Sequence, residues 1–110
     1  MARVALGAIA LARSGDKGKN SNIGVIARTP ALYDFLARVL TSAVVQAQFR
    51  EICKGEVTRY ELPNLRALNF ILRDSLGGGG TESFVTDPQG KVHGAALLHM
   101  ELDVPDELLP

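Results

Sequence analysis

The sequence predicts an α+β fold in which helices pack on one face of a largely antiparallel sheet. Three observations support it: two apolar runs near the N-terminus, stretches with apolar residues at helical spacing, and segments in which apolar and polar residues alternate. Strands come before and after the helices rather than alternating with them one by one, which is typical of α+β proteins. The length of 110 residues fits one domain, so we expect residues 1–110 to form a single unit.

The first two strands are predicted from the apolar runs at residues 4–11 and 23–27, neither of which contains a polar side chain. Such runs are typical of buried strands. Between them, residues 13–22 are polar, charged or Gly. This composition favours a ten-residue loop over a helix.

Two helices are predicted next. Pro30 favours the first turn of a helix, where its missing N–H is harmless. The apolar stripe of this helix comprises Leu32, Phe35, Leu36, Val39 and Leu40. Thr41 or Ser42 can cap a second helix, which we expect to end at Gly55. One face of that helix carries Val45, Phe49, Ile52 and Cys53, so we expect Cys53 to be a buried apolar residue rather than a nucleophile.

Alternation over residues 56–62 predicts a third strand with Tyr60 and Leu62 on its inner face. Leucines at three- and four-residue spacing then predict a helix over residues 64–76 that ends at Gly77. A four-glycine run at 77–80 follows, then a strand at 82–86 and a turn at 87–90. The chain returns from residue 91 in a half-exposed strand and ends in a frayed acidic tail at 106–110. A ferredoxin-like split β-α-β sheet is the natural candidate for this order.

Composition excludes several classes of function. The formal net charge is zero and aromatic residues are sparse, which argues against a nucleic-acid-binding module. No apolar run approaches the roughly 20 residues of a membrane span, and no signal peptide is recognisable, so we expect no membrane partner and a cytoplasmic location. The single Cys53 excludes an internal disulfide.

The 13–22 loop is the candidate ligand-binding site. Gly15 and Gly18 allow the backbone to approach a ligand closely, and Lys17 and Lys19 add positive charge for an anion. Asp16 adds an acid/base or cation-binding oxygen. The loop could equally be a long turn whose side chains cap their own backbone. The full set of candidate residues, including some expected to complete the same pocket, is Arg13, Ser14, Gly15, Asp16, Lys17, Gly18, Asn20, Asn22, Asn64, Asn69, Gly78 and Gly79.

Neither a metal nor a cofactor is predicted. His93 and His99 lie six residues apart, which is about 20 Å along a strand. No Cys, His and carboxylate cluster has the spacing of a metal site. No histidine lies near a nucleophile in sequence, and catalytic residues therefore stay unassigned.

Several blocks of the sequence resemble the ferredoxin-like domain of the acyclic terpene utilisation (AtuA) family. The blocks are RSGDKG at 13–18, NIGVIAR at 22–28, RYELPN at 59–64 and ALNF at 67–70. Further matches are Leu76 with the glycine run that follows it, Asp87 with Gly90 and Lys91, and Leu97 with Leu98. They are collinear with the family and cover nearly the whole chain. The resemblance implies a ferredoxin-like fold and a role near acyl-CoA intermediates of terpenoid breakdown. In better-known members this domain is the C-terminal part of a longer chain, so the resemblance covers that domain alone and we expect the larger part to be a separate protein.

Two functional hypotheses follow. In the first, the chain is a small non-catalytic domain or subunit that forms a homo-oligomer and works with a larger protein matching the N-terminal domain of the family. In the second, it is a protein or enzyme that binds an anionic small molecule, such as an acyl-CoA or a carboxylate, with the 13–22 loop. The residues do not decide whether the protein is an enzyme.

Overall fold

Two antiparallel sheets and three helices make up the described part of the computed structural model, which comprises residues 1–17, 20–50, 53, 55–73 and 93–109. The strands are β1 (Ala2–Ala5), β2 (Ala10–Lys17), β3 (Asn20–Ala27), β4 (Val57–Leu62), β5 (Ala67–Leu72) and β6 (Glu101–Val104). The helices are α1 (Pro30–Val39), α2 (Ser42–Gln48) and α3 (His93–Leu98). The predicted class, α+β with helices on one face of an antiparallel sheet, is confirmed.

The larger sheet has the strand order β2-β3-β5-β4, and every neighbouring pair is antiparallel. Strands β3 and β4 are both antiparallel to β5, so they run parallel to each other with β5 between them. Helices α1 and α2 connect β3 to β4. This arrangement is the split β-α-β unit of ferredoxin-like folds. A second sheet pairs β1 with β6.

Both connecting helices begin where the sequence predicts. The hydroxyl of Thr29 accepts a hydrogen bond from the Leu32 N–H at 3.1 Å, and the hydroxyl of Thr41 accepts one from the Val44 N–H at 3.2 Å. These bonds satisfy N–H groups that have no partner within the first turn of a helix. The predicted end of α2 at Gly55 is wrong, because the helix ends at Gln48. Gly55 instead donates its N–H to the Arg73 carbonyl at 3.0 Å, next to the start of β4.

The apolar run at residues 4–11 is not the single strand that was predicted. β1 ends at Ala5, a 3-10 turn spans Leu6–Ala8, and β2 begins at Ala10. The turn places Leu6 and Ile9 in the core, where both are fully buried. The Leu6 N–H donates to the Met100 carbonyl at 2.7 Å, which joins this turn to the segment before β6.

The predicted helix over residues 64–76 is also wrong, because this segment contains β5. Leu68, Phe70 and Leu72 are buried, whereas Asn69 and Ile71 between them are half-buried, which is the period of a strand. A 3-10 turn at Pro63–Leu65 precedes β5 and ends at Arg66, whose φ of 53° is left-handed. A helix cannot continue through that conformation. The helical spacing of the leucines was therefore coincidental.

The strand predicted from residue 91 onward is present only in its second half. Residues 93–98 form α3 rather than a strand, while β6 confirms the alternation near residues 101–104. The tail predicted to fray forms a 3-10 turn at Asp106–Leu108, and Leu108 and Leu109 pack against the core. The glycine run at 77–80, the strand at 82–86 and the turn at 87–90 lie outside the described residues.

The hydrophobic core lies between the helices and one face of the larger sheet. Its largest fully buried side chains include Phe70, Ile23, Leu32 and Leu36. Cys53 is buried as predicted, with its Sγ 3.3 Å from the carbonyl oxygens of Gly55 and Arg73. Packing of this kind stabilises the fold because apolar area leaves water.

We expect Phe70→Ala to lower the free energy of unfolding by about 3–5 kcal/mol, the usual cost of truncating a fully buried phenylalanine. Ile71→Ala, at the neighbouring position on the opposite face, is the matched control and should lower it by less than half as much. Denaturant titration of the two variants measures both values. Equal losses would contradict the assignment of the two faces.

Candidate functional site

One face of the larger sheet is covered by helices. Ser14, Ile23, Phe70 and Arg59 lie directly opposite one another on the four strands, so they share a face. At one end of this row, the Ser14 hydroxyl accepts a hydrogen bond from the Gly94 N–H of α3 at 2.8 Å. At the other end, Arg59 donates to carbonyl groups at the end of α1. Helices α1 and α3 therefore lie on the same side.

The opposite face is covered by no helix or strand within the described ranges, and we call it the open face. Strand alternation assigns it every second residue of β2, β3, β5 and β4. Its residues with a described side-chain environment are Leu11, Arg13, Gly15, Asn20, Asn22, Gly24, Ile26, Ala67, Asn69, Ile71, Thr58, Tyr60 and Leu62.

An apolar row crosses the open face. Leu11, Ile26, Ala67 and Leu62 lie directly opposite one another on the four strands. Leu11 is 55% exposed, Ile26 is 37% exposed and Leu62 is 41% exposed. A solvated face of an antiparallel sheet normally carries polar side chains. This row is therefore an unusual feature of the surface.

A more polar row lies beside the apolar one and consists of Arg13, Gly24, Asn69 and Tyr60. Among the residues that the structure describes, and apart from its chain neighbours, a Cβ atom built on Gly24 would meet only the Arg13 carbonyl oxygen, at 4.0 Å. The glycine thus leaves a shallow gap between Arg13 and Asn69. The Asn22 Nδ2 group donates across this region to Asn69 Oδ1 at 3.5 Å, which is a long and weak hydrogen bond.

The prediction of a loop at residues 13–22 is wrong, because these residues belong to the two paired strands of a β-hairpin. β2 and β3 pair from Ala10 opposite Ala27 to Lys17 opposite Asn20, and residues 18 and 19 lie outside the described part. The hairpin ladder uses backbone groups that a free loop would offer to an anion. On β3, which is bonded on both sides, a ligand would therefore be bound chiefly by side chains.

Five of the predicted site residues with a described side-chain environment lie together on the open face: Arg13, Gly15, Asn20, Asn22 and Asn69. Asn69 was expected in a helix but lies on β5, half-buried and bonded to Asn22. The hairpin brings the first four together, and the pairing of β3 with β5 adds Asn69.

The other predicted residues are dispersed. Ser14 lies on the helix-covered face, where Gly94 comes so close that an added Cβ would be 3.2 Å from its hydroxyl oxygen. Asp16 and Lys17 lie opposite Ser21 and the half-buried Asn20, and no side-chain position is described for Asp16 or Lys17. Asn64 is exposed beyond the other end of β5, about 20 Å along the strand from the hairpin tip. Gly18, Gly78 and Gly79 lie outside the described residues, so a pocket shared with the glycine run stays a prediction.

The sequence analysis did not identify the apolar part of the open face. It took the runs containing Leu11 and Ile26 as buried strands, and it assigned Tyr60 and Leu62 to the inner face of β4. Tyr60 is 49% exposed, and the helix-covered positions of β4 are Val57, Arg59 and Glu61. The signal was available in the alternation itself, since Val57 begins the other half of the pattern. Charged residues at 59 and 61 made that half look solvent-facing.

Arg59 is held inside by hydrogen bonds rather than by apolar packing. Its Nη1 group donates to the carbonyls of Ala37 at 2.7 Å and Leu40 at 3.1 Å, and its Nη2 group lies 2.8 Å from Glu61 Oε2. The last carbonyls of a helix have no helical partner, and a cation there also interacts favourably with the helix dipole. Arg59 therefore joins β4 to the end of α1.

Tyr33 on α1 is buried in the same region. Its burial raises the pKa of the phenol above the ordinary value of 10.0, and the nearby Glu61 carboxylate raises it further, while Arg59 opposes the change. The phenol is therefore neutral at physiological pH.

A protein-family model described as the AtuA ferredoxin-like domain matches residues 4–103. The match extends from β1 into β6 and confirms the ferredoxin-like class. No curated protein and no solved structure matches the chain. None of the helices in the described ranges is long and apolar enough to cross a membrane. The described side chains also contain no group of three or more His, Cys, Asp or Glu residues placed to hold a metal ion.

We expect Ser14→Ala to lower the free energy of unfolding by about 1–3 kcal/mol, because the buried Gly94 N–H loses its acceptor. Arg13→Ala, one residue away on the open face, should change it by no more than about 0.5 kcal/mol. Thermal and denaturant unfolding of both variants test this difference. A large loss in Arg13→Ala would show that the open-face residue is structural.

We expect alkaline pH to destabilise the fold partly through Tyr33. The folded state holds the phenol proton more tightly than the unfolded state does, so this contribution is complete below a pH of about 10 and is lost as the pH rises further. Tyr33→Phe should therefore lose less stability than the parent over the alkaline range. Unfolding measured as a function of pH decides the point, and identical profiles for the two proteins would refute it.

Proposed function

Because the chain belongs to the AtuA ferredoxin-like domain family, we propose that it is a non-catalytic association domain that binds a larger protein through the open face of its sheet. The observation that supports this proposal is the location of the exposed apolar side chains. Apart from Met1 at the terminus, the large hydrophobic residues exposed in the described ranges lie on the open face or in the adjoining turn. They are Leu11, Ile26, Tyr60, Leu62 and Leu65.

This clustering favours a protein partner. Contiguous exposed apolar patches on soluble proteins commonly mark interaction surfaces. Full burial of a leucine or isoleucine side chain contributes about 1.5–3 kcal/mol, so completing the burial of half-exposed ones adds roughly 1 kcal/mol each. A cross-strand row of such residues can therefore contribute a useful part of the affinity for a partner.

The charges on the open face favour a partner of different sequence. Among the open-face residues whose side-chain environment is described, Arg13 is the only charged one and none is acidic. Two copies stacked face to face would bring guanidinium groups together without a carboxylate to balance them. A partner whose apolar surface also contains an acidic side chain would complement the open face, because the acidic group could pair with Arg13. We propose that this partner is a protein resembling the larger N-terminal part of AtuA-family members, acting in acyl-CoA or terpenoid catabolism in the cytoplasm.

Binding of an anionic small molecule, such as a carboxylate or an acyl-CoA, is the second candidate. It is favoured by the gap at Gly24, which lies among Arg13, Asn22 and Asn69. Small-molecule sites are usually concave and bury most of the ligand. A ligand lying on an open sheet face is covered on one side only, so we rank this candidate below the protein partner. Neither candidate assigns a catalytic residue.

We expect Leu11→Glu to abolish or strongly weaken binding to the larger unit of an AtuA-family protein, prepared as a separate polypeptide. The parent chain should bind, and the variant should lose at least tenfold in affinity, about 1.4 kcal/mol, because a charge enters the apolar row. Ala43→Glu places the same charge on the exposed side of α2 and should bind like the parent. Isothermal calorimetry measures all three affinities.

Two results would contradict the proposal. One is no binding by the parent, and the other is equal binding by Leu11→Glu. The small-molecule candidate would be favoured if a CoA ester or a fatty acid shifted the amide signals of Asn22, Gly24 and Asn69, and if Arg13→Ala or Lys17→Ala removed that shift.

A further inference from the structure

β4 is an outer strand whose second half is exposed. It lies at one end of the order β2-β3-β5-β4, and no strand pairs with its outer side anywhere in the described ranges. The other outer strand, β2, has α3 packed on its helix-covered face, with Gly94 close to the backbone of Arg13 and Ser14. In β4, exposure increases along the strand, from a buried Val57 to the exposed Tyr60, Glu61 and Leu62. An unpaired strand edge is a template for pairing with another chain.

The sequence of β4 is complementary to itself in one antiparallel alignment. Directly opposite residues in a sheet point to the same side, so a two-fold axis perpendicular to the sheet must place one residue opposite itself. With the axis at Tyr60, Arg59 lies opposite Glu61 of the second copy on the helix-covered side. Tyr60 then lies opposite Tyr60 of the second copy on the open side, and Thr58 lies opposite Leu62.

Neighbouring alignments are worse. Moving the axis by one residue places Arg59 opposite Arg59, or Glu61 opposite Glu61, and like charges directly opposite each other destabilise a sheet. The preferred alignment instead forms two opposite-charge pairs and one aromatic pair, each of which stabilises an antiparallel sheet. The ion pair within each strand, between Arg59 and Glu61 at 2.8 Å, already holds both side chains near the position they would occupy.

We infer that two copies of this chain associate through β4, antiparallel and centred on Tyr60, so that four strands from each copy form one continuous sheet. This association goes beyond the proposed function and does not depend on it, because pairing at the edge leaves the apolar row of each open face uncovered. It also gives Tyr60, half-exposed in the single chain, a partner across the axis. Because the paired strand is only six residues long, we expect the dimer to be reversible.

Sedimentation analysis tests the dimer and its charges. The parent should show a concentration-dependent equilibrium between monomer and dimer. Glu61→Arg should raise the dissociation constant at least tenfold, because each Arg59 then faces an arginine. Glu101→Arg is the matched control, since Glu101 is similarly exposed and paired with Arg3 on the other sheet, and it should leave the equilibrium unchanged. A parent that stays monomeric into the millimolar range, or a dimer insensitive to Glu61→Arg, would overturn the inference.

Disulfide crosslinking tests the alignment. Tyr60→Cys should form a crosslinked dimer with itself under mild oxidation, because the two Cβ atoms would lie directly opposite each other. Thr58→Cys alone should not crosslink, but a mixture of Thr58→Cys with Leu62→Cys should. Crosslinking of Leu11→Cys with itself, in place of Tyr60→Cys, would show face-to-face packing and refute edge pairing. Leu11→Glu should leave the mass of the dimer unchanged, because Leu11 lies outside the β4 contact. A failed test of the β4 dimer can therefore be distinguished from a failed test of partner binding at the open face.

Discussion

The pairing of β5 between β3 and β4 is the constraint on which the rest of the structure depends. Because β5 is bonded on both sides, its side chains alternate strictly between the core and the open face. The residues that point into the core are Leu68, Phe70 and Leu72, and those that lie on the open face are Ala67, Asn69 and Ile71. A shift of one residue would exchange these sets and expose Phe70, so the core enforces this register.

That register also determines what the surface can bind. All described helices lie on one side of the larger sheet, and Arg59 ties that helical layer to β4 through the carbonyls of Ala37 and Leu40. The other side is left with an apolar row next to a row containing Arg13 and Asn69. Each row combines single residues from four strands, so both rows exist only when the whole sheet has formed.

The change from a predicted loop to a hairpin alters the chemistry of the candidate site. A loop would have offered backbone N–H groups to an anion, whereas the ladder between β2 and β3 uses such groups within the sheet. Recognition on β3, which is bonded on both sides, then depends on side chains, and alternation divides the predicted set between two faces. Arg13 and Asn22 share the open face, while Ser14 holds α3 through Gly94.

The sequence by itself determined the features that depend on neighbouring residues: the starts of α1 and α2 at Pro30 and after Thr41, the location of β4, and the collinear blocks of the family. It also identified Arg13, Gly15, Asn20, Asn22 and Asn69 as a set, though as parts of a loop and a helix. Only the tertiary structure decided that β5 is a strand, that Tyr60 and Leu62 face outward, and that Gly24 separates Arg13 from Asn69. The physical reason is that helix caps are formed by hydrogen bonds within a few residues. The face of a strand, in contrast, depends on partners far away in the chain, and the leucine spacing of residues 65–76 fits either structure until those partners are present.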